Sequence, residues 1–201
     1  MSKLYDKKFA EDCSLVEMSQ VDRLNLALPT NKLPCLRFYQ ARDNLKSRDA
    51  FLILHEEYRQ EGSKVATIEL EHNLNGEPDS FKTFKYLNIP TRKLRNNGNL
   101  KYDIYIKSSV DFKLWFLVTS AGILEASRDN SIAVISKNEN NILKRKGITG
   151  DNDFLKIYNN TGDLYRNAVW LKGFRYLIDK REACLGNTQD ISNYLMNRYL
   201  K

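Results

Sequence analysis

Carboxylates that converge with a lysine are the residue types that magnesium-assisted hydrolysis of a phosphodiester requires, the acids holding the ion and the lysine steering the attacking water or the phosphate. In this chain Glu69, Glu71, Asp103, Asp111 and Lys113 supply those types, and Asp111-Phe112-Lys113 has an acid-x-lysine spacing suited to the task. Its placement is unfavourable, because acid and lysine precede the apolar run Leu114 to Val118 when they should close such a strand. Glu69 and Glu71 alternate with Ile68 and Leu70, so the period of two assigns both acids to the polar, outward face of a half-buried strand. A metal-dependent nuclease is therefore the third expectation in rank, and magnesium is the one cofactor that any reading brings in.

The cations suggest binding of phosphate without reaction. The net charge of +7 is unevenly spread, with 11 Lys and Arg against 14 acids in residues 1–81, eight against two in 82–113, and 13 against nine in 114–201. Clustered cations attract polyanions. Lys82, Lys85, Arg92, Lys93, Arg95, Lys101 and Lys107 are the expected phosphate contacts, and Tyr105, read as exposed beside them, is the expected stacking residue for a base. Asn96-Asn97-Gly98 favours a turn because Asn and Gly tolerate positive φ. Residues 82–113 thus read as a basic hairpin region that binds nucleic acid or another polyanion, non-catalytically. The competing reading is a solvated sheet rim whose lysines discourage edge-to-edge pairing.

Other motifs carry less. His55-Glu56-Glu57-Tyr58-Arg59 begins like a zinc-binding HExxH, but a permanently protonated guanidinium stands where the second histidine must be. Gly147 and Gly150 have the GxxG spacing of a backbone-clamping loop, although a preceding helix accounts for Gly147 and for Lys144, Arg145 and Lys146 as well. The chain contains no GxSxG elbow, phosphate-binding Walker loop or GxGxxG fingerprint. Cys13, Cys35 and Cys184 are odd in number and never form CxxC, which argues against a disulfide framework or a thiolate zinc site. The opening residues lack the apolar block of a signal peptide, and the longest apolar run, Leu114 to Val118, is far below the roughly 20 residues that span a bilayer. A soluble, intracellular protein without a transmembrane segment is expected.

The elements that must position these residues follow from periodicity. The chain of 201 residues is long enough for one full core, and it reads as an α+β protein with a helical N-terminal third, a central, largely antiparallel sheet and C-terminal helices packed on it. Residues 1–62 form the expected helical segment and 63–201 the α+β body, within one compact domain. Ser19 caps a short helix stopping before Pro29, and Ser47 caps a second, with Ala50, Phe51, Leu54 and Tyr58 at helical spacing and Gly62 as its stop. Strands follow in VATIELEHN, FKTFKYLNI, YDIYIK, KLWFLV, SIAVIS and FLKIY. The capping box Ser136 to Glu139 opens a helix that ends at Gly147, Leu164 to Cys184 reads as a long helix closed by Gly186, and Thr188 caps a last helix through Ile191, Leu195 and Tyr199. Trp170, Phe174 and Tyr176 cannot all face one core stripe, so the second expectation is a structural protein that assembles, as a homo-oligomer or with a partner, through aromatic C-terminal helices.

Overall fold

The computed structural model describes residues 2–29, 33–41, 49–57, 61–72, 86–90, 101–123, 133–135, 142–143, 154–158 and 173–200. Its first element, α1 (Ser2–Ala27), runs straight through Ser19. Residues 2–27 contain neither Gly nor Pro, so nothing in the backbone forces a start at Ser19, and Pro29 supplies the stop. Val21, Leu24 and Leu28, spaced three and four apart, are its buried stripe. Asn25 ties the helix to β1 (Cys35–Gln40) by accepting from Phe38 N at 2.8 Å and donating to Phe38 O at 2.9 Å.

β1, β2 (Ala50–His55) and β3 (Ser63–His72) form an antiparallel meander. The helix expected from Ser47 to Gly62 is thereby replaced over Ala50–His55 by a strand. AFLIL is apolar without a break and satisfies either period; pairing on both sides decides for the strand, with Ala50 and Leu52 fully buried and Phe51 and Ile53 half-buried. Since β2 pairs with β3, the two sides of the expected boundary at residues 62 and 63 share one sheet.

That sheet continues with β5 (Ile104–Ser108), which lies parallel to β3, and β6 (Trp115–Thr119), which lies antiparallel to β5. Its order is β1-β2-β3-β5-β6-β10, with β10 (Ala183–Gly186) at the far side. A second, antiparallel sheet has the order β4-β9-β7-β8, from β4 (Tyr86–Pro90), β7 (Ala133–Ile135), β8 (Ile142–Leu143) and β9 (Phe154–Tyr158). The fold is α+β, with helices and a mixed six-stranded sheet. β4 and β5 belong to different sheets and so do not pair with each other as a hairpin, while residues 91–100 lie outside the described residues. Ile142 and Leu143, expected within a helix, are in β8; the capping box at Ser136 lies outside the described residues.

Near the C-terminus, α2 (Gly173–Asp179) ends well before Cys184, and Ala183–Gly186 is strand where the end of a long helix was expected. Arg181, at φ 58°, breaks the helix, and β10 then finds a partner in β6. The last helix, α3 (Thr188–Tyr199), is capped by Asn187, one residue before the expected Thr188: Asn187 accepts from Asp190 N at 3.1 Å and Asp190 accepts from Asn187 N at 2.8 Å, a reciprocal capping box. Gly186 makes room for it, since a side chain there would collide with Asp190.

Two apolar clusters fill the faces of the large sheet. On one face Leu36, Leu52, Ile68, Ile106, Trp115 and Leu117 meet Leu24 of α1 and Ile191 and Leu195 of α3. On the other, Phe116 and Val118 of β6 meet Ile89 of β4 and Leu177 of α2. Each fully buried side chain of this size contributes roughly 1.5–3 kcal/mol.

Candidate functional site

Parallel register places Glu69 opposite Tyr105 and Glu71 opposite Lys107. Ile68, Leu70, Ile104 and Ile106 turn to the first cluster, so these four polar side chains share the opposite face. Tyr105 Oη donates to the Glu71 carboxylate, and Lys107 Nζ lies 4.0 Å from it. Glu69, Tyr105 and Lys107 are 1, 0 and 6% exposed. Three expectations are corrected here: Glu69 does not point to solvent, Tyr105 has no free face to offer a base, and Lys107 is itself buried and lies against the half-buried Glu71 carboxylate. The cause is the second apolar cluster, in which Tyr105 packs with Ile89 of β4, Phe116 and Val118 of β6 and Leu177 of α2, whereas alternation had suggested one wet face. Charge is tolerable at such a place when it is paired.

The remaining carboxylates lie elsewhere. Asp103 stands at the start of β5, four residues and so about 13 Å along the strand from Lys107, where it accepts from Thr67 N at 2.7 Å and Thr67 Oγ1 at 2.6 Å. Asp111 belongs to the turn between β5 and β6. Ser109 Oγ and Lys113 N donate to it at 2.8 and 3.1 Å, and Lys113 Nζ reaches its other oxygen at 2.8 Å. The Lys113 and Ser109 contacts hold its carboxyl well below the usual carboxylate range. The five residues of the nuclease expectation thus occupy three separate places, each with local work to do, and among the described residues no group of three or more His, Cys, Asp or Glu could hold a metal ion. Of the other basic positions Lys101 is exposed, while Lys82, Lys85, Arg92, Lys93 and Arg95 lie outside the described residues, as do the GxxG stretch and Trp170. Tyr176 is half-buried against the second cluster.

A polar cluster without any sequence signal joins α1 to the parallel strands. Gln20, fully buried, donates through Nε2 to Glu71 O and to Ser108 Oγ, both at 2.9 Å. Ser108 Oγ, which accepts that bond, also lies 2.9 Å from His72 Nδ1, a hydrogen bond whose direction follows the imidazole tautomer. The His72 ring stacks on Phe112 at 4.8 Å, and the Arg23 guanidinium sits 4.5 Å from the centre of the Phe112 ring. Burial first, and then Lys107, lower the His72 pKa below its ordinary value, so the neutral form is favoured. A serine–histidine contact of this length could activate a nucleophile. Ser108 and Gln20 are both wholly buried, however, so the cluster serves as an internal tie. Gln20 and Ser108 are 88 residues apart, and no motif could have joined them.

At the opposite end of the sheet, Thr119 Oγ1 donates to the Glu182 carboxylate, and Arg198 pairs with the same carboxylate at 3.2 Å. No helix among the described residues is long and apolar enough to cross a membrane. No protein-family model matches the chain, and neither does any curated protein or solved structure.

Proposed function

We propose that the protein binds a polyanion, nucleic acid in particular, through the basic stretch from Lys82 to Lys101, without catalysing a reaction on it. One observation carries this reading: residues 82–102 hold Lys82, Lys85, Arg92, Lys93, Arg95 and Lys101 and no acid at all. The neighbouring charges of the same region have partners of their own. Lys107 belongs to Glu71 and Lys113 to Asp111, whereas Asp103 is held by Thr67. The six cations lie close together in sequence, a clustering that attracts polyanions. Tyr105 takes no part. Contacts of this kind are to phosphate, so the expected binding is sensitive to salt and indifferent to sequence.

The test is fluorescence anisotropy of labelled single-stranded DNA and RNA and of duplex DNA across a salt series, with magnesium and again with EDTA. Six phosphate contacts on a single strand would give a log–log salt slope of about −4, and changing Arg92, Lys93 and Arg95 together to alanine should flatten it by about two. Wild-type protein that is folded yet binds none of these probes at low salt would sink the proposal. Cleavage products that require magnesium would replace it with the nuclease.

A further inference from the structure

Between α2, β10 and α3 lies a cavity of about 700 Å³, a size that takes small organic ligands. Ile178, Leu185 and Met196 provide apolar wall, and Arg181, Tyr194 and Arg198 bring polar groups to it. Arg198 is already engaged. It pairs with Glu182 at 3.2 Å, and its Nη1 donates to the carbonyl of Arg181 at 3.1 Å. Tyr194 Oη donates to the same carbonyl at 2.9 Å. Burial pushes the Tyr194 phenol up to about 12, and the Cys184 thiol, also on the wall, up to about 11. Both stay protonated at neutral pH, so the cavity offers no thiolate or phenolate nucleophile.

Arg181 is the unusual member. Its backbone is left-handed, at φ 58°, just beyond the end of α2, where Arg181 N donates to Ile178 O and Glu182 N to Leu177 O. Glycine takes this conformation without steric cost and is the usual residue after a helix; a side chain here is strained. Two donors from α3 hold the Arg181 carbonyl in that turn, and the exposed guanidinium has no carboxylate partner among the described residues. Strain held by its surroundings points to a use for the side chain that causes it.

We propose that this cavity binds a small organic anion, a carboxylate or phosphate monoester on an apolar body, with Arg181 on the charged group and Leu185 and Met196 against the body. The site is independent of the basic stretch from Lys82 to Lys101. It can be tested by titrating the full chain with 8-anilinonaphthalene-1-sulfonate, an aromatic anion, and displacing the dye with phenyl phosphate, 3-phenylpropionate and neutral benzyl alcohol. Saturable binding of one dye per chain, displaced by either anion at concentrations where the alcohol has no effect, is expected, and the stronger competitor identifies the charged group. Arg181→Gly should weaken dye and competitor about tenfold or more while the melting temperature stays level or rises, because glycine relieves the left-handed turn. Arg181→Lys should restore part of the affinity. Dye binding that is absent or non-saturable, equal displacement by benzyl alcohol, or full affinity in Arg181→Gly would overturn the proposal.

Discussion

On one face of the six-stranded sheet, Leu52, Ile68, Ile106 and Leu117 meet Leu24 and Leu195 from two helices; on the other, Glu71, Tyr105 and Lys107 interact beside Phe116, Val118 and Ile89. Both faces are largely covered, but the first is held by shape and the second by shape together with partnership. Removing volume should therefore damage the first face, whereas removing one half of a pair should damage the second. Strand alternation shows which side chains lie together; it does not show whether their shared face is wet.

The largest expected effect is on the first face. Trp115→Ala removes a fully buried indole, and also its donor bond to Phe112 O, and should cost about 4 kcal/mol, read from denaturant midpoints. Next comes the second face, where Lys107→Met takes the cation from the half-buried Glu71 carboxylate and should cost about 2 kcal/mol. Adding Glu71→Gln, which keeps an acceptor for Tyr105, should return much of that loss; a neutral Lys107→Met would break the contrast between the faces. Smaller again, Asn187→Ala removes the cap of the helix that carries Ile191 and Leu195 onto the first face, and should cost about 1 kcal/mol.

The smallest effect expected is a pH dependence through His72, which ties α1 to the polar pair of strands. Its folded pKa lies below the ordinary 6.5, so the unfolded chain takes up the proton first. Its share of stability is complete above pH 6.5, falls as pH drops towards the lower folded value, and then levels off. Midpoints measured between pH 7.5 and pH 5 should fall further for the wild type than for His72→Gln, and equal falls would remove His72 from the tie.

Legibility in the sequence followed the range of the interaction. β5 and β6 could be read from short apolar runs, and the fully apolar Trp115–Val118 was correctly placed inside the sheet because both of its faces are lined by such residues. β2 could not, since AFLIL fits a helix and a strand equally until its partners are known. The last helix was read one residue late because Asn187 and Thr188 are both good caps, and only the return bond from Asp190 separates them. Of the candidate site, the charge asymmetry was plain and the fate of individual charges was not. Nothing near Lys107 in sequence shows that Glu71 waits on the neighbouring strand, and the bond from Gln20 to Ser108 belongs to tertiary structure alone.

The two sheets are wound from one thread. After β3 the chain gives β4 to the smaller sheet before returning with β5, and after β6 it builds β7, β8 and β9 before returning with β10. Each sheet is completed only by closing loops that contain strands of the other. Such non-local pairing makes for slow folding, because long loops must close before their contacts reward them. Unfolding should then be a single event, and a protease cut between β4 and β9 should release no stable half.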